Sequence, residues 1–138
     1  MKVSLSKVYQ FSAAHRLNSD ALNAQRNVDI YEKCNNLNGH GHDYTLEVTL
    51  SGNPDPKTGM ILPLPEFDKA VEKVLAQLDH KHINLEVDFF KKNISTAEII
   101  IQYLWDEIEK VIPGDLLYHL KLWETYNNYF EYGKEQFS

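Results

Sequence analysis

A chain of 138 residues, 43% of them hydrophobic and 25% charged, has the make-up of one soluble globular domain over 1–138, with no apolar run long enough to cross a bilayer. Its net charge of -6 argues against general nucleic-acid binding, which needs a basic surface, but not against a small anionic substrate in a locally positive pocket. A single cysteine excludes an internal disulfide, and the first residues alternate like a strand in place of a signal peptide's apolar core, so the expected compartment is cytoplasmic.

Val3, Leu5, Val8 and Phe11 predict an opening strand with an irregularity in its alternation, and residues 18–27 are polar and turn-rich, reading as a loop or short irregular helix. The clearest strand is 40–50, where Tyr44, Leu46, Val48 and Leu50 alternate with Thr45, Glu47 and Thr49. Gly52-Asn53-Pro54-Asp55-Pro56 signals a turn, after which 59–64 is expected to return as an antiparallel partner. A helix over 65–78 follows from Phe67, Val71, Val74 and Leu78, with Pro65 in its first turn. A second helix is expected to begin at Ser95, where Ser95-Thr96-Ala97-Glu98 fits a capping box, and Pro113-Gly114 stops it. Leu117–Thr125 and 128–132 read as a closing hairpin. This order predicts an α+β domain, an antiparallel sheet with helices on one face.

Chemistry concentrates in Cys34-Asn35-Asn36-Leu37-Asn38-Gly39-His40-Gly41-His42. Residues two apart on a strand share a face, so His40 and His42 can converge on one ion, and His15 offers a third imidazole. Three neutral imidazoles suit zinc and leave a coordination position open for water or substrate. The bland reading is that surface strands carry such pairs without function, and spacing does not bring His15 near them. Cys34 is equally a small buried hydrophobe, or a fourth ligand that would close the site. Asp79 and His80 can orient one another for proton transfer, or His80, Lys81 and His82 simply complement a helix C-terminus. Strand parity puts Glu124 on the apolar face of Leu120 and Leu122, where a carboxylate needs a partner; a slip of one residue would make it an ordinary exposed glutamate.

Together with Gly59-Met60, Leu78-Asp79-His80-Lys81, Ser95-Thr96-Ala97-Glu98 and Trp123-Glu124-Thr125, the segment Phe11-Ser12-Ala13-Ala14-His15-Arg16-Leu17 and the Cys34–His42 run make the chain resemble the 6-pyruvoyl-tetrahydropterin synthase family over almost its whole length. The long 18–33 stretch and Tyr126-Asn127-Asn128 resemble the animal-type synthase more than the shorter bacterial enzymes that make 6-carboxy-tetrahydropterin for queuosine. The resemblance implies that His15, His40 and His42 hold zinc and that Cys34, Asp79 and His80 transfer protons. It also implies that Glu124 anchors the pterin ring, with Thr96 and Glu98 nearby. The implied fold is the tunnelling fold, a four-stranded antiparallel sheet on two helices, with subunits forming trimers that stack as a barrel-like homohexamer.

The implied reaction converts 7,8-dihydroneopterin triphosphate to 6-pyruvoyl-tetrahydropterin with loss of triphosphate, in tetrahydrobiopterin biosynthesis. Its redox change is internal to the substrate, and no Gly-rich dinucleotide fingerprint is present. The implied partners are the pterin triphosphate and copies of the chain itself, with no nucleic acid and no membrane. Ile61-Leu62-Pro63-Leu64-Pro65 departs from the more polar stretch usual after Gly-Met in this family, without removing a site residue. Three rivals share some of these residues: 6-carboxy-tetrahydropterin synthase, a three-histidine zinc hydrolase, and a non-catalytic zinc-stabilised interaction module.

Overall fold

The computed structural model describes residues 1–134. Two thirteen-residue strands form its centre: β1 (Val3–His15) pairs antiparallel with β2 (His40–Gly52), in register from Val3 opposite Gly52 to His15 opposite His40. The other edge of β2 carries β4 (Leu117–Thr125), which pairs in turn with β5 (Asn128–Gly133). A two-residue strand, β3 (Lys81–His82), lies parallel to β1 at Ala13 and Ala14, giving the order β3-β1-β2-β4-β5. The sheet is thus mixed, with its four long strands antiparallel as the sequence predicts.

One face of this sheet is apolar. Tyr9, Phe11 and Ala13 of β1, Tyr44, Leu46, Val48 and Leu50 of β2, and Leu120 and Leu122 of β4 are all buried there, the period-2 pattern of a half-covered sheet. The cover comes from α2 (Leu64–Leu75) through Phe67, Val71 and Val74, and from α5 (Ala97–Val111) through Ile100, Leu104 and Ile108. Leu104 is fully buried, so truncating it to alanine costs about 2–5 kcal/mol. Short helices fill the connections: α1 (Ala24–Tyr31), capped by Asn23 accepting from the Arg26 N–H, and α3 (Ile83–Glu86) and α4 (Asp88–Lys92) before α5.

The structure corrects three local expectations. Residues 59–64 form no strand, because both edges of β2 are already taken, by β1 and β4. The chain instead folds back on Asp55, whose carbonyl accepts from Gly59 at 2.7 Å, with Gly59 at φ +75°. The helix expected over 65–78, α2, ends at Leu75, three residues early, in a tightened turn where Gln77 and Leu78 bond back to Val74 and Leu75; His80, at φ +60°, then turns the chain to donate its N–H to the Ser12 carbonyl at 2.6 Å. Finally, α5 is capped by Thr96, whose hydroxyl accepts from the Ile99 N–H at 3.4 Å, not by Ser95. That moves Glu98 out of the third helical position, so no capping box forms.

Candidate metal centre

The register that pairs β1 with β2 also brings the three histidines together. His15 ends the buried face of β1 directly opposite His40, and His42 shares the face of His40 two residues on. Ring centroids lie 4.7 Å apart for His15–His40, 5.2 Å for His15–His42 and 4.6 Å for His40–His42. One ring nitrogen from each falls within 4.8 Å of the others, and Nε2 of His40 and of His42 approach to 2.9 Å. Two imidazole nitrogens that close need a shared proton or a shared cation. The open reading of His15, left undecided by its distance in sequence, resolves to convergence.

Donor chemistry fits a metal ion. His15 is 1% exposed and its Nδ1 lies 2.7 Å from the Ser95 carbonyl, which can only accept, so Nδ1 carries the proton. Its Nε2 is left as a bare lone pair, buried and without a partner among the described residues. A histidine so oriented by a carbonyl on its far nitrogen is the usual ligand arrangement. Burial holds the His15 pKa down to about 4, against the opposing effect of the Ser95 bond, and burial also lowers that of His40, with His42 adding to it. Both rings are therefore neutral near pH 7, the form that ligates.

The Ser95 carbonyl is itself fixed. Ser95 is fully buried, its hydroxyl 3.0 Å from the Asn84 amide nitrogen, while Asn84 Oδ1 accepts from the Arg16 N–H at 2.7 Å. The chain leading into the α5 cap is thereby tied to Arg16, the residue following His15. Ser95 and Asn84 are site residues the sequence did not single out. A serine read as a helix cap conceals its second possible role, and Asn84 has no local signal.

Glu124 stands on the same face, as parity predicts: Thr45 pairs with Trp123 and Leu46 with Leu122. Its carboxylate reaches to 3.9 Å from His42 Nε2 and accepts from the Asn128 amide at 3.5 Å. Cys34 is half-buried, with its carbonyl accepting from the Leu17 N–H at 2.7 Å, which ties it to the segment leaving His15. Its thiol pKa is raised, by burial first and then by Glu124 and Glu32, opposite to the depression expected of a base in a positive neighbourhood. Cys34 is not among the group of ligand atoms that could share an ion, which consists of the three imidazoles. Tyr44, also not anticipated, packs 5.6 Å from the His42 ring and is 1% exposed, yet among the described residues its hydroxyl has no hydrogen-bond partner. Burial, Glu124 and Cys34 all keep that hydroxyl protonated.

Asp79 and His80 meet one another but not the triad. His80 Nδ1 lies 3.0 Å from one Asp79 oxygen, and the other accepts from the Ser12 N–H at 2.8 Å. This pair sits beyond the β1 edge, where His80 is largely exposed, beside Ser12 and Asp43 on the polar side of the sheet. Thr96 is half-buried at the α5 cap and Glu98 exposed in its first turn; among the described residues neither bonds to the triad.

Comparison with known proteins agrees with this architecture. The family model described as 6-pyruvoyl tetrahydropterin synthase matches residues 4–135. The human 6-pyruvoyl tetrahydrobiopterin synthase is 42% identical over 135 residues, covering 97% of this chain and 93% of that one, and the Drosophila melanogaster protein of the same name is 41% identical over 130 residues, covering 93% and 77%. The structure of the Caenorhabditis elegans 6-pyruvoyl tetrahydropterin synthase superposes with a TM-score of 0.93 at 38% identity, covering 98% of this chain and 97% of that one. With its histidines, Glu124 and five-stranded sheet so arranged, the chain belongs to the 6-pyruvoyl tetrahydropterin synthase family.

Proposed function

We propose that the chain is a zinc-dependent lyase that converts 7,8-dihydroneopterin triphosphate to 6-pyruvoyl-tetrahydropterin with loss of triphosphate. The observation that carries this reading is the triad: three converging imidazoles, one with its tautomer fixed by Ser95 and its Nε2 bare, on the same face as Glu124. Three neutral nitrogen donors suit zinc and leave a position open. Bound there, zinc supplies Lewis acidity to the oxygens of the substrate side chain.

The chain's own residues do the rest. Glu124 accepts from the amino and ring N–H groups of the pterin, holding the reacting carbons at the triad; Thr96 and Glu98 are assigned to the same pocket by the family resemblance alone. Cys34 removes a carbon-bound proton. Its raised pKa makes this the demanding step, since Glu124 opposes the thiolate and a cation at the triad offsets that opposition. Asp79 orients His80 to carry the second proton. Because that pair lies beyond the β1 edge, the reading includes a homohexamer, a dimer of trimers, in which one subunit's pair serves another's triad. The hydrogen shifts and the elimination balance within the substrate, so no external oxidant is consumed.

The test is to incubate the zinc-loaded protein with 7,8-dihydroneopterin triphosphate and identify products by mass spectrometry. The expected products are 6-pyruvoyl-tetrahydropterin and triphosphate; released acetaldehyde would assign the 6-carboxy product instead. Cys34→Ala that keeps most turnover would favour a metal hydrolase over this reading. A closed, non-catalytic site needs a fourth protein ligand, and the triad's ligand group does not include Cys34.

A further inference from the structure

A cavity beside the residues that flank the triad carries a charge the whole chain does not. It encloses about 650 Å³, within the range of small-ligand sites. On a protein of net charge -6, its wall holds three permanent cations, Arg16, Lys91 and Lys92, against a single acid, Asp20. Lys91 also pairs at 3.1 Å with the exposed Asp88, a contact that a stronger anion would outcompete at little cost. Most of the remaining polar wall consists of asparagine amides, which donate hydrogen bonds. Such a lining suits a polyanion of many equivalent oxygens, with the arginine fork and two lysine point charges sharing it.

The cavity wall also borders the metal centre through residues next to its ligands. Arg16 follows His15 in the chain, and Asn84, another wall residue, fixes the serine that orients His15. His82 closes the wall against Gly39, the residue before His40: a Cβ on Gly39 would lie 2.7 Å from His82 Nε2. Gly39 itself sits at φ +74°, and a Cβ there would also meet the His15 carbonyl at 2.8 Å, so glycine is required by conformation and by the backbone beside it. The Nδ1 of His82 is buried without a partner among the described residues, a polar atom left open between the cavity wall and Gly39.

We propose that this cavity is the polyphosphate subsite of the enzyme, with Lys91, Lys92 and Arg16 holding the triphosphate whose pterin end lies at the triad. It rests on the synthase reading, and its test separates the two. The probe is inorganic tripolyphosphate, titrated calorimetrically into the zinc-loaded protein and into chelator-treated protein, so that coordination to the metal is told apart from binding in the cavity. The variant is Lys91→Glu/Lys92→Glu, both exposed side chains, with Lys57→Glu/Lys69→Glu on distant exposed surface as a control for net charge.

The expected result is tripolyphosphate binding in both metal states that the Lys91/Lys92 variant weakens by about tenfold or more and the control does not. KM for 7,8-dihydroneopterin triphosphate should rise by a similar factor with kcat little changed, while affinity for phosphate-free dihydroneopterin stays constant. Unaltered tripolyphosphate affinity and KM in the Lys91/Lys92 variant, or an equal loss in the control, would overturn the subsite. If tripolyphosphate binding behaves as expected but the protein turns over no pterin, the cavity assignment stands and the synthase reading falls. Turnover with a KM indifferent to the two lysines gives the reverse.

Discussion

His15 makes the metal-free protein sensitive to acid in a calculable way. Its native pKa is about 4, against 6.5 in an unfolded chain, because a 1% exposed ring is costly to charge. Below pH 6.5 the unfolded chain takes up a proton that the native protein refuses until about pH 4. The stability that His15 confers is therefore complete above pH 6.5 and lost progressively as pH falls through 4. A depression of that size corresponds to roughly 3 kcal/mol, with a slope of up to about 1.4 kcal/mol per pH unit in the window, and His40, shifted the same way, adds to it. This is a large part of a domain's usual margin. The assay is urea unfolding of chelator-treated protein at pH 7.5, 6.0 and 4.5, at fixed protein concentration because self-association would contribute. His15→Leu, which carries no titratable group, serves as the comparator. The wild-type curve should steepen below pH 6.5 by about one proton relative to His15→Leu. Parallel curves for the two proteins would refute the claim that His15 is buried neutral, and with it the ready-made lone pair at the triad.

Three further outcomes follow from single contacts. Tyr44→Phe removes a buried hydroxyl with no partner, so urea stability should stay level or rise by about 1 kcal/mol; a loss above about 1 kcal/mol would show that the hydroxyl is bonded after all. Asn84→Ala removes the main support of the Ser95 hydroxyl, which keeps only its longer contact to the Arg16 carbonyl, and leaves the Arg16 N–H unpaired; it should cost about 1–3 kcal/mol and weaken metal binding by about 10-fold or more in a chelator competition. Cys34→Ala should retain zinc at the wild-type stoichiometry while turnover falls by about 100-fold or more, measured by metal analysis and product formation on the same sample.

Local rules read the sheet well where one face is buried. The alternation of β2 gave both the strand and the shared face of His40 and His42, and the same parity placed Glu124 correctly on β4, because a slip by one residue would have buried Lys121 and Trp123 in place of Leu120 and Leu122. Occupancy of edges was not legible: 59–64 has the composition of a strand, yet β2 had no free edge to offer it, a fact settled by β4 more than fifty residues later. The convergence of His15 was likewise hidden, since it depends on the register of β1 against β2 across an intervening segment that carries its own helix.

Ser95 shows most clearly why pattern reading misplaced a residue. Ser95-Thr96-Ala97-Glu98 satisfies the capping-box template at Ser95, and a free helix of this sequence would start there. In the folded chain the Ser95 hydroxyl faces Asn84 and its carbonyl faces His15 Nδ1, so both polar groups are committed to the metal centre. Leaving His15 Nδ1 unpaired in a buried site would cost about 1–3 kcal/mol, more than the typical ~1 kcal/mol of an optimal cap, and Thr96 recovers much of the latter one residue on. The one-residue shift of α5 is thus what the balance of these two contacts predicts, and it uncouples Glu98 from capping, freeing its carboxylate in the exposed first turn. Two adjacent hydroxyl residues let the fold assign one to the helix and the other to the ligand's tautomer. Ser95→Ala, which keeps the carbonyl, should therefore leave the helix start in place and act only through the hydroxyl's contacts to Asn84 and the Arg16 carbonyl, so its metal affinity should fall no further than that of Asn84→Ala.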